Sequence, residues 1–473
     1  MSKLASSSNG QRGSAALLCG KPLAFRPTLP ISLSPRRLEG AAFQTARRGW
    51  VKLQAPRKGE ALPHNGAAEP LVNIRQVRRS LSRLLSAQLE NRGIGHIAPG
   101  ILRGVVAMML IASCGLAAPK ARRPEQSASA KAAAVAALAS ARARVLNASP
   151  LTMFYYSGDS MGRSSLEAHA DAITLLAPQC YGLDRAGALH GHLPAEVLEV
   201  TRTAGLPLMP LVTNPGFDRS TAHVLLHNAQ AQVRAVKHLA ELAERDQYVG
   251  WQLDFEGVDP ADKLAYTRFV ARVAIRLHHD HRLLSVAVVP RFSDAFPDSS
   301  ARGFHTGEWG AAFDFRGLGR VADFLVLMAY DQHTSLTPPG PVAGYDWVKA
   351  TLDYAVRRVP PSKLLLGLPF YGREWTETAG ATTSQSLAYK DLKRFLEDPS
   401  SEQHWDDLAQ TAWFQLREGD TLRTAWFDDA RSLREKRRLL PLYHLRGYAA
   451  WRLGVEDPEF WQPEGQQSNT RGE

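Results

Sequence analysis

Aspartate is absent from the first 100 residues of this 473-residue chain, although Arg, Ser, Ala and Pro are frequent there. A stretch with this bias is typical of disordered chain, and it contains one helix-like segment, near Val72–Leu89. We therefore expect Met1–Gly100 to be a disordered basic leader or a mispredicted start of the protein.

Cysteine is also scarce. The chain has 3 cysteines, Cys19, Cys114 and Cys180, which lie far apart and lack the spacing of metal ligands. This pattern argues against both a disulfide framework and a zinc site, and Cys180 is expected to be a buried thiol.

The basic residues are unevenly placed, although the net charge of +11 at first suggests a nucleic-acid partner. Residues 1–126 hold 20 Lys and Arg against 5 Asp and Glu, which leaves 37 against 41 for the remainder. A phosphate-binding surface should lie on the folded part, which is mildly acidic and carries no nucleic-acid-binding motif. We expect no nucleic-acid partner.

A candidate export signal lies well inside the chain. The apolar run Gly104–Cys114 follows Arg103, is too short for a comfortable membrane span and has the length of a signal-peptide core. We predict an export segment at 101–118. Ile111-Ala-Ser-Cys114 also resembles a bacterial lipobox, so Cys114 is a candidate lipidation site and membrane tether. The protein is then exported, either lipid-anchored in a bacterial cell envelope or secreted.

A start codon placed too far upstream would explain both the internal export segment and the basic leader. An organelle-type transit sequence and a buried hydrophobic helix without a targeting role are the alternatives. Residues 119–148, rich in Ala, Ser and Arg, are predicted to form a linker or a first helix.

From Leu151 onward, short apolar runs alternate with longer amphipathic stretches, which indicates repeated βα units and a parallel sheet. Helices are predicted at Ala229–Arg245 and at Ala261–His278, the second capped by Asp259 and Pro260. Eight strands favour an α/β fold of the (β/α)8 TIM-barrel type over residues 149–465. The predicted strands are Thr152–Tyr156, Ala172–Leu176, Pro207–Val212, Tyr248–Phe255, Leu283–Val289, Phe324–Ala329, Leu364–Leu368 and Gly447–Trp451.

The fourth predicted strand carries two carboxyl groups. Its period of two places Gln252, Asp254 and Glu256 on one face, and Leu253 and Phe255 on the other. Two carboxyls so close repel when both ionise, so one should keep a proton near neutral pH, as a general acid must. The alternative interpretation is that such a pair only caps the following loop.

This strand resembles the signature of glycoside hydrolase family 18, Asp-Gly-x-Asp-x-Asp-x-Glu, which includes chitinases and spore-cortex peptidoglycan hydrolases. The matching positions are Val249, Gly250, Gln252, Asp254 and Glu256, of which Gly250, Asp254 and Glu256 agree. The resemblance extends over Leu151–Trp461 and includes, in order, the segments Leu327–His333, Gly367–Trp375, Ala425–Leu433 and Gly447–Pro458.

The resemblance implies a role for each site residue, in a family where the substrate's own N-acetyl group is the nucleophile. Glu256 would protonate the glycosidic oxygen and Asp254 would bind the acetamide nitrogen, while Tyr330 would hold the acetamide carbonyl. Asp331 would contact the sugar or the acetamide, and Trp451 would lie under the reactive sugar. Further candidates for the sugar subsites are Tyr155, Tyr181, Tyr371 and Trp375. A strand-end hydrogen-bonding pair for Tyr330 and Asp331, and plain core packing for the aromatic residues, are the alternatives.

Two positions depart from the family pattern. Gln252, a substrate-binding candidate, stands where the family has an aspartate that shares a proton with Asp254. Glutamine can donate a hydrogen bond but cannot take up charge, so we expect reduced activity or a shifted pH profile. Val249 replaces the outermost aspartate, which we interpret as a structural position.

The resemblance implies hydrolysis of β-1,4-linked N-acetylglucosamine polymers, namely chitin, chito-oligosaccharides or peptidoglycan glycan, with retention and without a metal or organic cofactor. The stretch Thr376–Tyr443 is predicted to hold a small insertion between strands seven and eight, in which Gly380–Leu387 is expected to be loop-like. A lectin-like barrel that binds such sugars is one alternative function. A metal-assisted barrel enzyme is the other, with His333 the sole nearby nitrogen ligand. Oligomeric state stays open.

Overall fold

A computed structural model describes residues 128–294 and 308–463, all within a unit that spans Gln126–Glu473. The expectations for the leader, the export segment 101–118 and Cys114 concern residues outside these ranges. Among the described residues, no helix has the length and apolar content needed to cross a membrane.

Eight parallel strands of the described ranges form a closed barrel, because the last of them pairs with the first and the first with the second. The predicted TIM-barrel fold is therefore confirmed. The barrel strands are β1 (Leu151–Tyr156), β2 (Leu175–Leu183), β4 (Leu211–Thr213), β5 (Gly250–Asp254), β6 (Leu283–Val288), β7 (Phe324–Leu327), β8 (Leu364–Pro369) and β14 (Gly447–Trp451), and β3 (Leu189–Gly191) pairs antiparallel with β2.

The core has two layers, because successive strand residues point to opposite faces of the sheet. On β1, Phe154 and Tyr156 belong to the outer layer between the strands and the helices. Met153 and Tyr155 belong to the layer that fills the barrel interior, with Leu151, Leu175, Met209, Leu211, Val249, Phe324, Val326 and Leu365. The lower part of the barrel interior is thus filled by apolar side chains.

The helices surround the barrel. The predicted Ala229–Arg245 helix has those bounds, and the Asn228 side chain caps it by accepting from the Ala231 amide. Asp259 likewise accepts from the Ala261 amide at a short 3-10 turn, Pro260–Asp262, that precedes the next helix. The helices are α1 (Ala128–Asn147), α2 (Ser160–His169), α3 (Ala195–Thr203), α4 (Arg219–His227), α5 (Ala229–Arg245), α6 (Lys263–His279), α7 (Glu308–Ala311), α8 (Phe315–Val321), α9 (Tyr345–Val356), α10 (Tyr389–Glu397), α11 (Ala430–Arg437) and α12 (Leu439–Leu442). Further 3-10 turns lie at Ala170–Ala172, Pro215–Phe217, Pro361–Lys363 and Pro458–Trp461.

Two strand predictions are displaced along the chain. The sequence predicts the second strand at Ala172–Leu176, but β2 begins at Leu175 and continues through polar residues to Leu183. It predicts the third from Pro207, but β4 begins at Leu211. Proline at 207 and 210 has no N–H to donate to a ladder, which shortens that strand.

For residues 119–148 the sequence predicts a linker or a first helix, and the structure has the helix, α1. Its last turn packs against the barrel, since Val145 is fully buried in the interior layer. The Arg144 guanidinium also donates to the carbonyl oxygens of Ile173 and Gly205, at 3.0 Å each. Over Ala128–Asn147 the chain therefore forms the first helix, the second of the two alternatives.

The insertion between the seventh and eighth barrel strands is confirmed as a five-stranded antiparallel sheet, in the order β10-β9-β13-β12-β11. Helix α10 covers one face of this sheet through Leu392 and Phe395. Gly380–Leu387 is not a loop, because Ala381–Leu387 forms β10, an edge strand whose exposure accounts for its polar residues. The strands are β9 (Gly372–Thr378), β10 (Ala381–Leu387), β11 (Glu402–Asp406), β12 (Thr411–Glu418) and β13 (Thr421–Phe427).

Candidate active site

Strand β5 points its polar side chains into the barrel mouth. On its outer face, Trp251 donates from Nε1 to the Leu239 carbonyl of α5, at 2.9 Å, which fixes the strand's orientation. Leu253 and Phe255 lie in the same outer layer. The alternation therefore aims Gln252, Asp254 and Glu256 inward, as the sequence predicts.

The two carboxyl groups both hold protons more tightly than free carboxyls do. Burial raises the pKa of Asp254 to about 7. Burial, followed by the charges of Asp254 and Asp331, raises the pKa of Glu256 well above its usual value. Glu256 is the partly exposed member at the strand's end, so it is the carboxyl that can deliver a proton to a molecule in the mouth.

Gln252 lies beneath Asp254 and is fully buried. Its Nε2 donates to Ser285 Oγ of the neighbouring strand β6, at 3.1 Å. Within the described part of the chain, Gln252 Oε1 and Asp254 Oδ1 are buried without a hydrogen-bond partner. Buried acceptors of this kind are rare, and Asp254 Oδ1 is placed to accept from a donor group of a bound molecule.

Tyr330 and Asp331 follow strand β7 at the same mouth. Burial, then the neighbouring Tyr155 and Tyr371 and the two carboxyls of β5, raises the pKa of Tyr330, so its hydroxyl stays a hydrogen-bond donor. Asp331 has a φ of 59°, a left-handed conformation that aspartate tolerates better than most residues. The Tyr371 hydroxyl donates to Asp331 Oδ1.

A glycine on β8 makes room for the tyrosine. A Cβ atom at Gly367 would lie 2.5 Å from the Leu327 carbonyl oxygen and 3.0 Å from the ring of Tyr330. A side chain at this position would therefore clash with the backbone of β7 and crowd the ring of Tyr330.

Trp451 ends β14 and is partly exposed. Its ring lies 5.2 Å from that of Tyr155, centroid to centroid, at an interplanar angle of 56°. The Tyr155 hydroxyl lies beside Gln252 and Asp254, and burial followed by the Asp254 charge raises its pKa. The two aromatic residues and the carboxyl pair therefore share one site.

The remaining aromatic candidates, Trp375 and Tyr181, lie in different parts of the molecule. Trp375 is buried on β9 and donates from Nε1 to the Thr337 carbonyl of the loop after β7, at 3.0 Å, so it joins the insertion to the barrel rim. Tyr181 does not reach the mouth, because its hydroxyl bonds to that of Tyr248, at 2.9 Å, within the outer layer. The subsite prediction for Tyr181 is wrong, since its side chain faces outward from β2.

His333, the nitrogen ligand of the metal-assisted alternative, lies in the loop after β7. Its Nδ1 lies 3.0 Å from the Pro338 carbonyl oxygen, within hydrogen-bonding distance inside its own loop. Among the described residues, His333 is not a member of a group of three potential metal ligands, so the metal-assisted alternative lacks a ligand set at the mouth.

Sequence reasoning misses Asn214, which follows β4 and is fully buried. Its Oδ1 accepts from the Glu256 amide at 3.0 Å, and its Nδ2 donates to the Glu256 carbonyl at 2.9 Å. An asparagine between a strand end and a proline is the available signal, but that pattern is common in turns.

A row of aromatic rings across the insertion sheet is also missed. Trp413 and Trp426 stack at 5.6 Å and 15°, and His404 stacks on Trp413 at 4.1 Å and 20°. Trp426 pairs with Arg373 of β9, two residues from both Trp375 and Tyr371. The aromatic row (His404, Trp413 and Trp426) therefore shares the face of the sheet that leads to the barrel mouth, opposite α10.

Comparison with known proteins agrees with this geometry. The family model described as glycosyl hydrolases family 18 matches residues 211–456, more than half of the chain. An uncharacterized glycosylase of Bacillus subtilis is 25% identical over 321 residues, which cover 67% of this chain and 90% of the relative. The cortical fragment-lytic enzyme of the same species is 28% identical over 295 residues, 61% of this chain and 66% of that enzyme.

Solved structures of this family also resemble the present chain. The crystal structure of a chitinase from Chromobacterium violaceum superimposes with a TM-score of 0.60 and 29% identity, over 66% of this chain and 97% of the chitinase. The family match includes the carboxylate strand, the Tyr330 segment and Trp451. This chain therefore belongs to glycosyl hydrolases family 18 and is a glycoside hydrolase.

Proposed function

We propose that this enzyme hydrolyses β-1,4-linked N-acetylglucosamine polymers, whether chitin, chito-oligosaccharides or peptidoglycan glycan, with retention of configuration. The observation that carries the proposal is the pair at the end of β5. Glu256 is the partly exposed member, its pKa is raised by burial and by neighbouring carboxylates, and Asp254 beside it has a buried acceptor without a partner among the described residues.

In the first step, the carbonyl oxygen of the substrate's own N-acetyl group attacks C1 of the sugar that carries it. Glu256 gives its proton to the glycosidic oxygen, so the leaving chain departs as a neutral alcohol. The sugar is left as a cyclic oxazolinium ion and Glu256 as a carboxylate.

Asp254 and Tyr330 act on the acetamide during this step. Asp254 Oδ1, which lacks a partner among the described residues, accepts the acetamide N–H and offsets the positive charge that develops on the ring. The Tyr330 hydroxyl, kept protonated by its raised pKa, donates to the acetamide oxygen and orients it toward C1. Asp331, held by Tyr371, contacts the same sugar.

In the second step, the Glu256 carboxylate takes a proton from water, and the resulting hydroxide opens the oxazolinium ion at C1. The acetamide is restored and Glu256 is protonated again, which closes the cycle without a metal or an organic cofactor. Two displacements at C1 leave the product with the configuration of the substrate.

Chain-like substrates are favoured by the aromatic row. The partly exposed rings of Trp413 and Trp426 offer apolar surface to the C–H faces of pyranose rings. Two relatives are named a chitinase and a cortical fragment-lytic enzyme, and these names support a polymeric glycan as the substrate of the present enzyme.

The proposal is tested by mixing the full-length protein separately with N-acetylglucosamine oligomers and with purified peptidoglycan. Proton NMR during the first turnovers reads the anomer of the new reducing end. The expected product is the β-anomer, and the polymer that is cleaved faster names the substrate. Production of the α-anomer would exclude the acetamide mechanism.

A lectin-like barrel is the second candidate, and Gln252 favours it. A neutral amide at this position cannot share a proton with Asp254 during the cycle. Oligomer binding without cleavage at any pH, measured by calorimetry on the same protein, would identify a sugar-binding protein. Retention of Glu256 argues for the enzyme.

We also propose that the protein is exported, either lipid-anchored through Cys114 or secreted. The support is the apolar run Gly104–Cys114 after Arg103. In a bacterial host, the wild-type protein should then leave the cytoplasm. Wild type in the membrane fraction with Cys114→Ser in the soluble exported fraction would identify the lipid anchor, and both proteins in the soluble exported fraction would identify secretion. Retention of both proteins in the cytoplasm would contradict export.

A further inference from the structure

A group of three potential metal ligands lies outside the catalytic mouth. His223 and His227 are four residues apart on α4, so both rings lie on one face of the helix. His223 Nδ1 is 2.8 Å from Asp262 Oδ2, and His227 Nε2 is 2.7 Å from Asp262 Oδ1. The three ligand atoms all lie within 4.8 Å of one another, which among the described residues is the one such group of His, Cys, Asp or Glu.

The group has a closed side and an open side. The Asp262 side chain is 4% exposed, whereas those of His223 and His227 are 57% and 53% exposed. The ring centroids are 4.6 Å apart. A cation can therefore enter from solvent between the rings, meet a buried carboxylate at its base, and keep water in its remaining coordination positions.

The donor set selects the kind of cation. Two imidazole nitrogens and one carboxylate oxygen suit Zn²⁺, Ni²⁺, Co²⁺ or Cu²⁺, whereas Mg²⁺ and Ca²⁺ prefer oxygen ligands. Tetrahedral coordination with bonds of about 2.0–2.1 Å separates donor atoms by roughly 3.3 Å. The hydrogen-bonded pairs would have to open by about half an ångström, as a metal ion replaces the protons they share.

We propose that His223, His227 and Asp262 bind a divalent transition-metal cation. The family resemblance implies catalysis without a metal, and this site leaves that step unchanged, since none of its ligands belongs to the carboxyl pair. The sequence pattern does not reveal the site because Asp262 is 35 residues beyond His227 in the chain.

The position of the site gives it a structural role. Asp262 immediately precedes α6, on the segment that leaves the catalytic strand after Glu256. Helix α4 already contacts this segment at its other end, where Arg219 Nε donates to the Gly257 carbonyl at 3.3 Å. A bound cation therefore fastens the second end of α4 to the segment that carries the general acid.

The test is calorimetric titration of the full-length protein with ZnCl₂ near neutral pH, with thermal unfolding in parallel. The wild type should bind one more equivalent of zinc than the double variant His223→Gln/His227→Gln, and zinc should raise its Tm but not that of the double variant. Each single variant, and Asp262→Asn, should weaken this site at least ~10-fold, since even indirect partners of a ligand contribute that much. Glutamine and asparagine keep a hydrogen-bonding group, so the fold should survive.

His278→Gln is the matched control. His278 also bonds a carboxylate, Asp323, at 2.9 Å, but it offers a single imidazole, so this variant should bind zinc as the wild type does. Addition of MgCl₂ should produce no saturable heat. Equal zinc stoichiometry and affinity in the wild type and the folded double variant would overturn the proposal and leave a hydrogen-bonded group only.

Discussion

Asn214 holds both backbone polar groups of Glu256, through a carboxamide that accepts from the amide at 3.0 Å and donates to the carbonyl at 2.9 Å. The pair joins the ends of two adjacent barrel strands, β4 and β5. Because the backbone of Glu256 is anchored on both sides, its side chain starts from a defined position at the mouth. We therefore expect Asn214 to position Glu256, the proposed general acid.

Asn214→Ala should lower kcat about 10-fold or more with little change in KM, since a small displacement of a catalytic group is costly. Asn228→Ala is the matched control, because Asn228 caps α5 but does not contact Glu256. It should lower Tm and leave kcat unchanged. A pure stability effect in both variants would show that Asn214 has no positioning role.

Glu256→Gln should lower kcat by about 10²-fold to 10⁴-fold, the contribution of a general acid. Binding of oligomers should persist, because the amide keeps the size of the side chain. Cleavage of a fluorogenic N-acetylglucosamine oligomer measures the rate, with the exposed Glu241→Gln as the control expected to match the wild type. Full activity of the Glu256→Gln variant would remove Glu256 from the mechanism.

Gln252→Asp should extend activity to lower pH. In the wild type, Asp254 has a pKa of about 7, so its ionised form is lost below neutral pH. A second carboxyl beside it shares one proton with it, so the pair takes on its first negative charge at lower pH than a lone buried carboxyl does. The profile of kcat/KM from pH 4 to 9 measures the shift. Gln252→Asn introduces a side chain of the same size as aspartate but without charge, so the acidic limb of the pH profile should stay where it is in the wild type. An equal shift of this limb in both variants would refute the explanation.

Asp254→Asn should make stability less dependent on pH. An unfolded aspartate ionises near pH 4, but in the fold Asp254 stays protonated up to about pH 7, so its ionisation destabilises the fold progressively as pH rises between these values. From pH 5 to pH 8 the free energy of unfolding of the wild type should fall by about 3 kcal/mol, at roughly 1.4 kcal/mol per pH unit up to the pKa of Asp254. The Asp254→Asn variant should not show this fall. Urea unfolding at both pH values measures it. The exposed Asp420→Asn should behave like the wild type, and parallel curves for all three proteins would contradict the raised pKa.

Trp426→Ala should raise KM for long oligomers while KM for a trimer stays unchanged, because the aromatic row lies beyond the carboxyl pair. Loss of one stacking face is worth about 1 kcal/mol, roughly 5-fold in affinity. Trp405→Ala is the control on the opposite face of the sheet, where Trp405 packs on the core under α10. An equal rise in KM for both variants would indicate general damage to the insertion.

Much of the fold could be predicted from local patterns. The helix Ala229–Arg245 and the alternation of Gln252, Asp254 and Glu256 depend on residues within one element, so periodicity alone predicts them. The predictions for strands β2 and β4 are displaced because polar residues and prolines interrupt their apolar runs. Strand β10 has the sequence pattern of a loop because an edge strand needs no apolar face.

The sequence alone determines the order of the βα units and identifies the carboxylate strand, since both are visible in the short-range alternation of apolar and polar residues. It does not predict the two hydrogen bonds between Asn214 and the backbone of Glu256, or the outward orientation of the Tyr181 side chain. Nor does it predict the aromatic row or the group of His223, His227 and Asp262. Each of these depends on packing between elements far apart in the chain, and contacts of that kind exist only once the barrel has closed.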